Sequence, residues 1–154
     1  MNVAQLIRVV SVTVACGFCG ICAAQDAPHM AVLQANSAFE QALSQRDLRA
    51  VESAWLQDAH VIAVHPNGRP AVVGWEAVRK SWEAALANFP ELSVSMAQPI
   101  VRAMGNVAVV VGTEVVRGSR PDGKSVEFQA STTNVFELRE GRWLMVHHQA
   151  TRLP

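Results

Sequence analysis

The stretch Val107-Ala108-Val109-Val110-Val111-Gly112-Thr113-Glu114-Val115-Val116-Arg117 decides the fold. Valine crowds both parities, which favours a pleated strand over a helix. Working outward, Leu92–Met104, Ser125–Leu138 and Trp143–Arg152 are likewise β-branched or alternating. Gly105-Asn106, Pro121-Asp122-Gly123 and Glu140-Gly141 separate the four runs as short turns, so antiparallel hairpins are the economical pairing. Upstream of Pro90 the period is helical. Val32, Ala35, Asn36, Phe39, Ala42 and Leu43 share one mostly apolar face. Asp47 can cap a second, shorter helix carrying Leu48, Val51 and Trp55. Trp75, Val78, Trp82, Ala85, Leu86 and Phe89 mark a third, which Pro90 stops. Between the last two lies the apolar segment His60–His65, ended by Pro66-Asn67-Gly68. Helices grouped before strands predict an α+β fold. About three N-terminal helices would pack in a strongly curved antiparallel sheet, forming a cone whose open end is a small-molecule pocket.

The chain has 154 residues, half of them apolar, with 13 basic side chains balancing 13 acidic ones. That suits one domain and excludes a disordered chain. Zero net charge and scattered basic residues exclude a nucleic-acid platform. Residues 1–24 stand apart. Arg8 precedes the uncharged run Val9–Ala24, and Cys22 and Ala24 are small enough for the −3 and −1 positions of a signal-peptidase site. A cleaved signal peptide over 1–24 is therefore expected, with a single domain over 25–154 and a periplasmic or secreted destination. The run is short for a spanning anchor, and no membrane association is expected after its removal. All three cysteines leave with it, so the mature domain has neither disulfide nor thiol chemistry. No metal site and no cofactor are expected, since His-x-His and HExxH patterns are lacking.

Three segments carry a family likeness: Trp55-Leu56-Gln57-Asp58-Ala59, Gly74-Trp75-Glu76-Ala77-Val78, and the closing Gly141-Arg142-Trp143-Leu144-Met145-Val146-His147-His148-Gln149-Ala150-Thr151. With the order of elements, they resemble the SnoaL-like, ketosteroid-isomerase-like branch of the nuclear transport factor 2-like superfamily. The likeness runs over nearly all of 29–152. It implies the cone fold strongly and chemistry weakly, because that fold hosts isomerases, dehydratases, cyclases, binders and assembly domains.

Candidate site residues follow from parity. His147 and His148 point to opposite sheet faces, and analogy with related association domains places His148 and Ala150 in the cone. His65, at the end of the first strand, could exchange a proton near neutral pH. Asn134 interrupts the apolar parity Val126, Phe128, Ala130, Phe136 and must find partners. Phe39 and Trp82 are expected as apolar wall. Glu114 is the carboxylate of interest, although an outward position on a half-exposed strand is the simpler expectation for it. Isomerases of the resembled kind use tyrosine hydroxyls at the developing oxyanion, and this chain has no tyrosine.

The leading expectation is thus an exported protein binding a small apolar or weakly polar ligand through Phe39, His65, Trp82, Asn134 and His148. The alternatives are an isomerase-, dehydratase- or hydrolase-type enzyme using His65 or His148 with Glu114, and a dimeric interaction module. Apolar residues on both parities of the strands also predict a homodimer through the outer face of the sheet.

Overall fold

The structure, a computed structural model, describes residues 21–154. Most of the expected signal segment lies outside them. In chain order come helices α1 (Ile21–Gln45) and α2 (Leu48–Ala54), strands β1 (Ile62–Val64) and β2 (Val72–Val73), helix α3 (Trp75–Ala87), and the long strands β3 (Glu91–Met104), β4 (Val107–Ser119), β5 (Ser125–Arg139) and β6 (Arg142–Arg152).

The four long strands form the expected antiparallel meander, and β1 and β2 extend it in the order β2-β1-β6-β5-β4-β3. The sheet is mixed rather than wholly antiparallel, because β1 runs parallel to β6. A parallel partner arrives there because α3 and the meander separate the two strands in sequence. The expected turn chemistry holds at the β5–β6 hairpin, where Glu140 and Gly141 take φ of 50° and 77°. Positive φ at both central residues matches the twist of the flanking strands. Asp47 caps α2 by accepting the Ala50 N–H at 3.1 Å.

The helices fill the concave face. Val32, Phe39, Val51, Trp55, Val61, Val78, Val110, Phe136 and Met145 are almost fully buried there. At the edge strand β3 the polar groups of α1 close the ladder: Ser44 Oγ accepts the Val94 N–H at 2.8 Å, and Glu40 Oε2 accepts the Met96 N–H at 3.2 Å. These bonds occupy donors that an open edge would offer to another chain. Two irregularities bend the sheet. One lies between Ala97 and Ile100 of β3, the other opposite Val135–Phe136 on β6. In the second, Val146 is the extra residue, so the inward side changes parity from His148 and Ala150 to Met145.

Candidate functional site

The inward rows of β4, β5 and β6 set the floor of a cavity of about 550 Å³, and α3 with the β1–β2 loop supplies its other wall. That size suits a small organic molecule. His65, Trp82, Glu114 and His148 all line it, together with apolar residues such as Leu86, Phe89, Leu92, Val94, Val116 and Phe128. Phe39, expected as apolar wall, and Asn134, expected to approach the cavity, both lie behind its lining. Phe39 packs edge-on to Trp82 at 5.2 Å between ring centres and lies 5.8 Å from His148. Asn134 is taken up by side chains of the core.

The buried polar groups form one chain. Glu40 Oε1 accepts from Asn36 Nδ2 at 2.6 Å, Asn36 Oδ1 accepts from Asn134 Nδ2 at 2.8 Å, and Asn134 Oδ1 faces His148 Nδ1 at 2.8 Å. A carboxylate accepting at both oxygens fixes the first amide, which fixes the second, which leaves only an acceptor for the imidazole. His148 therefore carries its proton on Nδ1 and presents Nε2 as a bare acceptor. Burial pushes its pKa down to about 3, and nearby His65 and His147 add to the effect, so the ring is neutral at pH 7.

His65 is fixed by similar logic. Ser81 Oγ gives its single proton to the Val78 carbonyl at 2.7 Å, so it accepts from His65 Nε2–H at 2.9 Å. The His65 ring stands edge-on to Trp82 with centres 4.5 Å apart, and burial lowers its pKa.

Glu114 is the main correction. Only 4% exposed, it points inward instead of to solvent. Its parity is shared with Ala108, Val110 and Val116, which are buried, while Val111 on the opposite parity is exposed. Oε1 is buried without a hydrogen-bond partner. Burial, reinforced by the charge of Glu40 and opposed by the Thr132 hydroxyl, pushes its pKa up to about 7. Glu40 is also raised, chiefly by burial. A carboxyl of that kind is half-protonated at neutral pH, the condition in which it can both take and give a proton. Trp82 Nε1, on the cavity wall, and Trp55 Nε1, in the core behind it, are also buried without a partner. Unpaired groups of this sort are rare in folded proteins.

Asn36 and Glu40 escaped the sequence reading of the site. Their signal was a polar pair spaced i, i+4, with Asn36 inside an otherwise apolar helix face. His60 and His147 stay outside the site: His60 contacts Asp58 and Glu137, and half-buried His147 is on the opposite face from His148. Among the described residues no group of three or more His, Cys, Asp or Glu side chains could hold a metal, and no helix is long and apolar enough to cross a membrane.

Three helices inside a curved sheet with a pocket at the open end define the nuclear transport factor 2-like cone. The chain belongs to the SnoaL-like domain family, whose model matches residues 32–152. Among solved structures it is similar to a candidate dehydratase of the NTF2-like family from Streptomyces avermitilis: 27% identity, 83% of this chain and 97% of that one, TM-score 0.77. An NTF2-like superfamily protein from Salmonella enterica serovar Typhimurium shares the fold at 14% identity, 86% and 94% coverage and TM-score 0.75. Among curated proteins it is 26% identical over 121 residues to the F-box protein SKIP8 of Arabidopsis thaliana, covering 79% of this chain. The match spans about half (49%) of that relative's length.

Proposed function

We propose that this domain binds a small, largely apolar molecule in the cone and moves a proton on it, as an isomerase or dehydratase does. The observation that carries the reading is Glu114: a carboxyl on an apolar cavity wall, buried, with one oxygen unpaired. In its ionised form it would remove a proton from carbon next to a carbonyl, and in its neutral form return one. His148 Nε2, held as an acceptor by Asn134, would orient a ligand hydroxyl. The Trp82 N–H is an available donor for charge developing on oxygen, the part that tyrosine plays in the resembled isomerases. Likeness to a candidate dehydratase at 27% identity supports the same reading.

The test is deuterium exchange followed by proton NMR on a panel of cyclic ketones and β-hydroxy ketones. Wild-type protein is expected to accelerate loss of the acidic C–H signals, and Glu114→Gln to abolish the acceleration while retaining binding. A panel member that binds without faster exchange or elimination would leave a binding domain in place of an enzyme.

The same proposal places the protein outside the cytoplasm, on the basic, apolar, small-residue order of Met1–Ala24. It also makes it a homodimer. Ile100, Met104 and Val111 are exposed, and Ile100 pairs with Val111 and Met104 with Val107 across the outer side of β3 and β4. A contiguous apolar surface of that kind is usually covered.

A further inference from the structure

The cavity's mouth is basic although the chain as a whole is neutral. Arg69 on the β1–β2 loop, Arg120 at the end of β4 and Arg152 at the end of β6 all line it. None of the three has a carboxylate within salt-bridge distance among the described residues. Asp122, on the same turn as Arg120, is bonded to Lys124 at 2.8 Å and feels Arg120 only through space, as the weakest of the causes that lower its pKa. Among the described residues, the only carboxylate on the cavity wall is Glu114, buried inside.

The guanidiniums are also positioned. That of Arg120 lies 4.6 Å from the ring centre of Phe89, and that of Arg152 lies 4.9 Å from that of Phe128. Both rings belong to the cavity wall. Stacking leaves the in-plane N–H donors of an arginine free, the edge that pairs with a carboxylate. Arg69 and Arg152 also share a second cleft of about 310 Å³ beside the first, which puts them at one lip.

We propose that the ligand is a small organic carboxylate whose apolar body enters the cone and whose carboxylate is held at the mouth by Arg69, Arg120 and Arg152. The proposal rests on the reading of the cone as a ligand site and adds the ligand's chemical class. Inside, burial raises the cost of a second charge, so the cone selects an uncharged body. Outside, three unpaired cations select one anionic end.

Calorimetry with 4-phenylbutyrate, its neutral amide and phenyl phosphate tests it. The carboxylate is expected to bind at least tenfold tighter than the amide, with the advantage shrinking as salt rises. In Arg120→Gln/Arg152→Gln, both at exposed positions, the advantage of acid over amide should vanish while the circular dichroism spectrum stays unchanged. Equal binding of acid and amide to wild type overturns the proposal and leaves the cone as a site for neutral ligands. Tighter binding of the phosphate overturns the carboxylate class. An unchanged advantage in the double variant overturns the role of the arginines. Failure of all three probes to bind overturns the proposal, and the reading of the cone as a ligand site falls with it only if the ketone panel also fails to bind, whereas loss of exchange chemistry alone bears only on Glu114.

Discussion

Replacing Asn134 by leucine removes the central link of the buried polar chain with a side chain of the same branching and larger volume, so any overpacking adds to the cost. Asn134 is fully buried and makes two side-chain bonds of 2.8 Å, one to Asn36 Oδ1 and one from His148 Nδ1. The variant leaves a buried acceptor and a buried donor without partners. Each costs about 1–3 kcal/mol, so the expected loss at pH 7 is about 2–6 kcal/mol. Measured against a total of about 5–15 kcal/mol for a typical domain, that is large. Urea unfolding should show a lower midpoint at unchanged slope. The double variant Asn134→Leu/His148→Leu also removes the orphaned donor, so it should be less destabilised than the sum of the single changes. A loss below about 1 kcal/mol for Asn134→Leu, or strict additivity in the double variant, would refute the claim that this chain holds the imidazole.

Glu114→Gln should change the pH dependence of stability. The native carboxyl keeps its proton up to about 7, and its reference value is 4.5, so its favourable contribution is present below 4.5 and lost as pH rises through 7. That gap corresponds to about 3 kcal/mol, so wild type should lose stability relative to Glu114→Gln by about this amount between pH 4.5 and 8 in paired urea titrations. His148 acts with opposite sign: its pKa falls from 6.5 to about 3, so its contribution is present above 6.5 and lost as pH falls through 3. Accordingly, His148→Leu should flatten the acid limb of the same curve. Sedimentation equilibrium at micromolar concentration should give twice the mass of one chain, a monomer counting against the outer-face dimer. N-terminal sequencing of the exported protein should start within a few residues of Gln25, and intact Met1 in the cytoplasm would count against export.

The meander was legible because turn residues and a period of two coincide from Leu92 to Arg152. The third helix was legible from its aromatic and aliphatic spacing, with Pro90 beyond its end. Strand β2 was not, since two residues carry no period. Neither was the parallel pairing of β1 with β6, which depends on how α3 crosses the sheet. Within the site, the position of His65 at the cavity lay within reach of the sequence, and the side taken by His148 rested on analogy. Glu114 was misjudged because β4 is valine-rich on both parities, so hydrophobicity alone assigns no inward face. The bulge at Val146 moves the inward position from Leu144 to Met145, a local irregularity that no alternation pattern announces. The arginine rim was hidden because its members are far apart in sequence and meet only where loop and strand ends converge.

The central claim is that a carboxyl inside an apolar cone titrates where it can exchange a proton at physiological pH. Carbon-13 NMR of the glutamate side-chain carboxyls, with Glu114 assigned by its loss in Glu114→Gln, measures this directly. The account predicts a Glu114 midpoint at about 7, well separated from the ordinary value of 4.5. A midpoint at or below that ordinary value would contradict it.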